Sequence, residues 1–250
     1  MKTFLLNLAA GISFFTRLPL HRLVIPPKES FSRVLPFATI AGWIVGLFAA
    51  GCWWLLSMVL PFEVCILLTI TATVIFTGAL HEDGFADFVD GFGGGYTRER
   101  ILAIMKDSQI GTYGVISLIL LFAVRVGVLT DIDENKIPAL LITGAVVGRY
   151  IGVFLPSLLP YARTIEASKI QVGLTPLTPL QATVATFIAV GTICYFFGAA
   201  SLIALAIASI PLPITAIYIK QKIGGYTGDC CGMLITLSEI VWYIAILAIY

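Results

Sequence analysis

Charge is scarce in this chain. Only 12% of its 250 residues are Asp, Glu, Lys or Arg, against about a quarter in soluble domains. With 59% hydrophobic residues and a mean hydropathy of +1.00, a soluble globular domain is excluded. Cysteine builds no framework either. Of Cys52, Cys65, Cys194, Cys230 and Cys231, three lie in apolar runs, where a thiol acts as a small hydrophobe. Cys230 and Cys231 are adjacent and show no zinc-ligand spacing, so no disulfide or structural metal is expected. A phosphate-cradling P-loop is excluded, since GxxxxGK[ST] does not occur. No secretory leader is expected, because the apolar start Phe4 to Phe15 lacks a small-residue cleavage site. No internal repeat is visible.

Long apolar runs are what the chain does have. They predict an all-α, polytopic integral membrane helix bundle forming one domain over residues 1–250, with the lipid bilayer as its surroundings. Seven spans are expected, near Leu35–Leu60, Val64–Leu80, Val115–Thr130, Ile137–Leu159, Leu180–Gly198, Ala199–Ile219 and Met233–Tyr250. Met1 to Pro19 is too short to cross and reads as an interfacial or re-entrant helix. The segments 1–34, 81–114, 160–179 and 220–232 then share one side and hold twelve of the fifteen Lys and Arg residues. The positive-inside rule makes that side, with every motif-bearing loop, cytoplasmic, in a cell (inner) membrane.

The stretch His81 to Gly114 concentrates the chemistry. If His81 to Gly91 is helical, Asp83, Asp87 and Asp90 fall within about 60° of one another, opposite Phe85, Phe88 and Phe92. Carboxylates brought that close repel one another unless cations lie on them. A solvated acidic face is the plain alternative. Thr97 to Asp107 reads as a surface helix capped by Thr97, with Gly93-Gly94-Gly95 as a hinge before it. Magnesium bound by one or two carboxylates and phosphate oxygens suits this face, and implies a nucleoside diphosphate substrate. Arg98, Arg100, Lys106, Lys220 and Lys222 are candidate phosphate clamps, or simple markers of the inner side. Asp229, in a second glycine-rich loop running from Lys220 to Gly232, is a candidate for completing the metal site or an ordinary turn residue. His81 is open as base, ligand or interfacial residue. Arg125, Arg149 and Glu239 sit within spans, where charges are paired or face a polar cavity.

The runs HEDGFADFVDG, RERILAIMKDSQIGTYG, Pro160-Tyr161-Ala162-Arg163 and GGYTGDCCGMLITLSE, with FFTRLP at Phe14 to Pro19, resemble cobalamin synthase, the adenosylcobinamide-GDP ribazoletransferase family. The resemblance covers nearly the whole chain. Its departures are Glu82 where leucine is common, Ala103 in place of a glutamate, and the Cys230-Cys231 pair. It implies that a hydroxyl of α-ribazole, or of its 5′-phosphate, attacks the cobinamide-bound phosphorus of adenosylcobinamide-GDP and that GMP leaves, with Mg2+ as cofactor. It implies catalytic roles for His81, Asp83, Asp87, Asp90 and Asp229, with Asp83, Asp87 and Asp90 as metal ligands. It implies substrate binding by Arg98, Arg100, Lys106, Asp107, Arg163, Gly228 and Glu239. A nucleic-acid partner is not expected; a homo-oligomer or a complex with other cobalamin-assembly enzymes is left open.

There are two rivals, one an enzyme of related chemistry and one from another class. A CDP-alcohol phosphotransferase making phospholipid is disfavoured because Asp87 stands where its motif has arginine and the later GxxxDxxxD is absent. A cation or proton transporter would place more ionisable groups inside spans, or show paired broken helices in two halves.

Overall fold

The computed structural model describes residues 2–163 and 174–250. Every regular element among them is helical. The helices are α1 (Lys2–Phe15), α2 (Ala38–Ser57), α3 (Phe62–Thr77), α4 (Leu80–Gly94), α5 (Arg98–Ile104), α6 (Thr112–Asp131), α7 (Ile137–Gly152), α8 (Leu155–Leu158), α9 (Pro179–Phe197), α10 (Leu202–Ser209), α11 (Pro211–Ile223) and α12 (Gly228–Ile249). Six helical stretches are long and apolar enough to cross a membrane, and a seventh exists if α3 and α4 count as one broken span. That bundle is the expected class. Helix α1, at 14 residues, is too short for the test.

The second expected span departs most from the sequence expectation. It does not run out into a loop after Leu80; the chain bends by 88° between α3 and α4 and remains helical to Gly94. Two consecutive left-handed residues make the bend, Gly78 (φ 71°) and Ala79 (φ 57°). For alanine this conformation costs about 1–2 kcal/mol, so tertiary contacts must hold it. Arg17 supplies one: its backbone N–H donates to Phe76 O at 2.8 Å, and its guanidinium lies where a side chain at position 78 would collide. At the expected sixth span α10 gives way to α11 at Pro211, yet Ala199–Ile223 continues as a single crossing. Glu166 and Lys169, placed on the expected link between Pro160 and Pro179, lie outside the described residues.

Helix α7 is the axis of the bundle, with thirteen of its sixteen residues buried. Small residues let its neighbours approach, as is usual where lipid removes the hydrophobic drive between helices. A Cβ at Gly42 or Gly46 of α2 would stand 2.7 Å from Ala145 O or 2.5 Å from Ile142 Cα. On its other face, Gly144, Gly148 and Gly152 accept Tyr243, the Ile235 carbonyl and the Ile235 side chain of α12. Helix α4 crosses α12 in the same way. A Cβ on Gly84 would lie 3.2 Å from Asp229 Cα and 3.3 Å from Gly232 Cα. This crossing positions the site.

Candidate functional site

Asp229 is not in a loop. Helix α11 continues to Ile223, where Gly224 (φ 76°) ends it, and α12 begins at Gly228, so Asp229 occupies the first turn of a helix. Thr227 caps that helix, its Oγ1 accepting from Cys230 N and donating to Asp229 Oδ2 at 3.2 Å. An anionic side chain in a first turn is favoured by the aligned peptide dipoles.

A short strap lies beside this turn. Tyr226 N donates to Pro160 O at 2.9 Å and Ala162 N donates to Tyr226 O at 2.8 Å, forming one isolated parallel bridge. Any side chain at Gly225 would strike the Pro160 carbonyl. Burial pushes the Tyr226 phenol well above its ordinary range and keeps it neutral. Arg98 fastens the arrangement, with Nε donating to Ile223 O and Nη2 to Ala162 O, both at 2.8 Å. Two donors of Arg98 therefore serve backbone carbonyls, including one at the end of α11. Arg163, at the end of the strap, brings Nη2 to 3.6 Å from Asp229 Oδ2 and 3.4 Å from Leu102 O.

These pieces enclose a pocket of about 160 Å3 lined by both Asp83 and Asp229, with His81, Tyr161, Arg163 and Gly228 also in its lining. Its apolar lining comes from α1, Leu35, Leu80, Val153, Leu174 and Ile235. Asp83 is exposed, whereas Asp229 is 9% exposed. His81 is buried, its ring stacked on Phe15 at 5.9 Å and its Nε2 without a hydrogen-bond partner.

The other expected residues are distributed differently. Asp87 is half-buried one turn beyond Asp83 and is not among the described residues lining the pocket. Asp90 is buried, and both its oxygens accept backbone N–H groups at the start of α6: Oδ2 from Gly111 at 2.7 Å and Oδ1 from Gly114 at 2.8 Å. A side chain at either glycine would run into that carboxylate, which explains the spacing of Gly111 and Gly114. Thr97 caps α5 by accepting from Arg100 N at 3.3 Å. Arg100, Lys106 and Asp107 are exposed, Asp107 Oδ1 accepting from Gln109 N at 3.0 Å.

Glu239 faces a second, deeper polar cluster. Arg125 Nη2 donates to Glu239 Oε1 at 2.7 Å, Tyr243 Oη donates to the same oxygen at 2.7 Å, and Arg125 Nη1 lies 3.7 Å from Glu82 Oε1. Arg149 joins from α7, giving its Nη1 to Ala145 O at 3.0 Å. The cluster surrounds a cavity of about 30 Å3, room for a water. His81 borders both cavities.

Among the described residues, no three or more His, Cys, Asp or Glu side chains are gathered to hold a metal ion. Magnesium does not need such a cage, since it binds through one or two carboxylates with phosphate oxygens and water. Asp83 and Asp229, hard-oxygen donors on one pocket, fit that mode. Asp90, with both oxygens engaged, does not.

Sequence reasoning missed the contributions of Phe14, Phe15 and Tyr161 to the pocket and the ion pairing of Glu82. The FFTRLP run was visible, but nothing in its composition indicated that α1 ends against the aspartate helix.

The cobalamin-5-phosphate synthase family matches residues 7–247. A protein of Shewanella frigidimarina named adenosylcobinamide-GDP ribazoletransferase is 32% identical over 246 residues, 96% of this chain and 93% of the relative. A protein of Leptospira interrogans with the same name is 33% identical over 246 residues, 95% of this chain and 93% of the relative. No solved structure matches.

Proposed function

The chain belongs to the cobalamin-5-phosphate synthase family, and from that premise we propose that it is an adenosylcobinamide-GDP ribazoletransferase working at the Asp83–Asp229 pocket. The observation that carries the assignment of the site is the meeting of two carboxylates from distant parts of the chain, with Arg163 beside them, in a single pocket. A hydroxyl of α-ribazole, or of its 5′-phosphate, attacks the phosphorus that bears cobinamide. The new P–O bond forms, the P–O–P anhydride bond breaks, and GMP leaves. Neither a phospholipid-forming enzyme nor a transporter is favoured by any relative.

The residues divide the work by position. Asp229, held by Thr227 and Arg163, takes the proton of the attacking hydroxyl. Arg163 holds a positive charge where phosphate oxygens gather. Arg100 and Lys106, exposed on and just after α5, draw the diphosphate to the surface. Asp83, beside Asp229 on the pocket, would hold magnesium, which would supply neutralisation of charge on the phosphates and leaving group. The charge asymmetry supports a cytoplasmic pocket in the cell inner membrane. A cysteine at Gly94 then labels only from the cytoplasm, and one between Asp131 and Lys136 only from outside.

The direct test is GMP release by the purified protein. It should require adenosylcobinamide-GDP and α-ribazole (or its phosphate) together, and should stop on chelation of magnesium. No GMP with both substrates present would refute the assignment.

A further inference from the structure

The pocket is lined by two chemically different sets of side chains, and the transfer proposed above uses only one of them. Asp83, Asp229 and Arg163 form the polar set. Phe14, Phe15, Leu35 and Val153 form part of the other, as members or close neighbours of a small hydrophobic cluster separate from the main core. Helix α1 is too short to span a membrane, and its last turn delivers the two phenyl rings to this wall. Their arrangement is set in advance: the Phe15 ring stacks on His81 at an interplanar angle of 24°, and Phe14 packs edge-on against Phe15 with centroids 5.0 Å apart.

We propose that this apolar lining is the subsite for the flat aromatic base of the acceptor nucleoside, holding it while the ribose hydroxyl faces Asp83 and Asp229. The proposal rests on the transfer reaction above. Size narrows the choice of occupant. A pocket of about 160 Å3 is close to the roughly 150 Å3 of an engineered cavity that takes up benzene. Drug-sized ligands fill about 300–1,000 Å3, so a corrin ring with its amide arms must lie outside. Polarity narrows it further. Guanine carries donors and acceptors around its edge, and a wall of phenyl and aliphatic groups would leave them unpaired. The benzimidazole base of α-ribazole has an apolar fused ring and no N–H to satisfy. Aromatic faces reward such a ring by offset or edge contact. The apolar lining thus matches the base of the acceptor, which lies against α1 with its ribose reaching out toward the carboxylates.

The test uses the full chain, purified in detergent, with two variants. Phe14→Ala removes a half-buried ring from the rim, and Leu80→Trp, at a position 36% exposed, fills the pocket from its mouth. Two quantities are read: α-ribazole binding by the fluorescence of its base, and KM for each substrate from GMP release. Both variants should weaken α-ribazole binding and raise its KM by about tenfold or more, the scale for losing apolar contacts in a fitted pocket. KM for adenosylcobinamide-GDP should stay within about twofold. An acceptor with adenine as its base should bind wild type weakly and respond less to Phe14→Ala. Unchanged α-ribazole binding in both variants, or a rise in the donor KM alone, would overturn the subsite. If wild type releases GMP while the variants are indifferent, only the subsite falls. If wild type neither binds α-ribazole nor releases GMP, the transfer assignment falls with it.

Discussion

Two polar clusters lie next to one another in this bundle, and they contain similar residues. The one at the larger pocket holds Asp83, Asp229 and Arg163; the one at the smaller cavity holds Glu82, Glu239, Arg125 and Arg149. Consecutive residues of α4, Glu82 and Asp83, project about 100° apart and so serve different clusters. Residues of α12 divide likewise, with Asp229 in one cluster and Glu239 in the other. What separates them is the space beside them: Glu239 adjoins a cavity of about 30 Å3, Asp229 a pocket of about 160 Å3. Glu239 Oε1 accepts from both Arg125 and Tyr243, each at 2.7 Å, inside the bundle. Asp229 accepts from Thr227 Oγ1 and lies 3.6 Å from Arg163 Nη2, and both Asp229 and Arg163 line the larger pocket. Residue type alone does not distinguish a carboxylate in a structural cluster from one beside a ligand-sized space; the volume beside each does.

The Arg125–Glu239 cluster should fail by unfolding. Arg125→Ala removes the cation bonded to Glu239 and closest to Glu82, leaving only the more distant Arg149, and breaking a buried pair costs about 3–5 kcal/mol. The variant should insert poorly and lose its thermal transition. If Arg125→Ala melts like wild type, the two clusters do not differ as described.

Asp90 stands between the two cases. It shares the aspartate face, yet both oxygens hold the start of α6. Asp90→Ala leaves buried amides unsatisfied, at about 1–3 kcal/mol each. A clear fall in melting temperature should accompany reduced turnover, and lowering the temperature should recover part of the activity. Complete inactivity in an undisturbed fold would instead return Asp90 to the reacting group.

The smallest effects belong to the exposed cations. Arg100→Ala and Lys106→Ala should leave stability within about 0.5 kcal/mol. KM for adenosylcobinamide-GDP should rise a few-fold, and the increase should shrink at high salt. A salt-independent effect on kcat would place either residue against the reacting phosphorus.

Much of this organisation could be read from residue order. Hydropathy marks the spans because lipid demands long apolar helices, and the helical face of Asp83, Asp87 and Asp90 follows from periodicity. Thr97 acts as the cap its position suggests, because capping is local. The features that could not be read are tertiary. The turn at Gly78 and Ala79 depends on Arg17 packing over it. The role of Asp90 depends on amides more than twenty residues away. Glu239 sits in a motif that resembles a binding site, and only the approach of α6 shows where its charge is used. Asp229 looked like a loop residue because glycines surround it, yet those at 228 and 232 belong to α12.

The central claim is that chemistry occurs in the larger pocket, and turnover by Asp229→Asn tests it most directly. The substitution keeps the shape of the side chain and removes its charge and basicity. The variant should purify with wild-type stability, while GMP release from adenosylcobinamide-GDP and α-ribazole falls by about 10²–10⁴-fold, the scale of a lost general base. Turnover within a few-fold of wild type would contradict the account and remove Asp229 from the reaction.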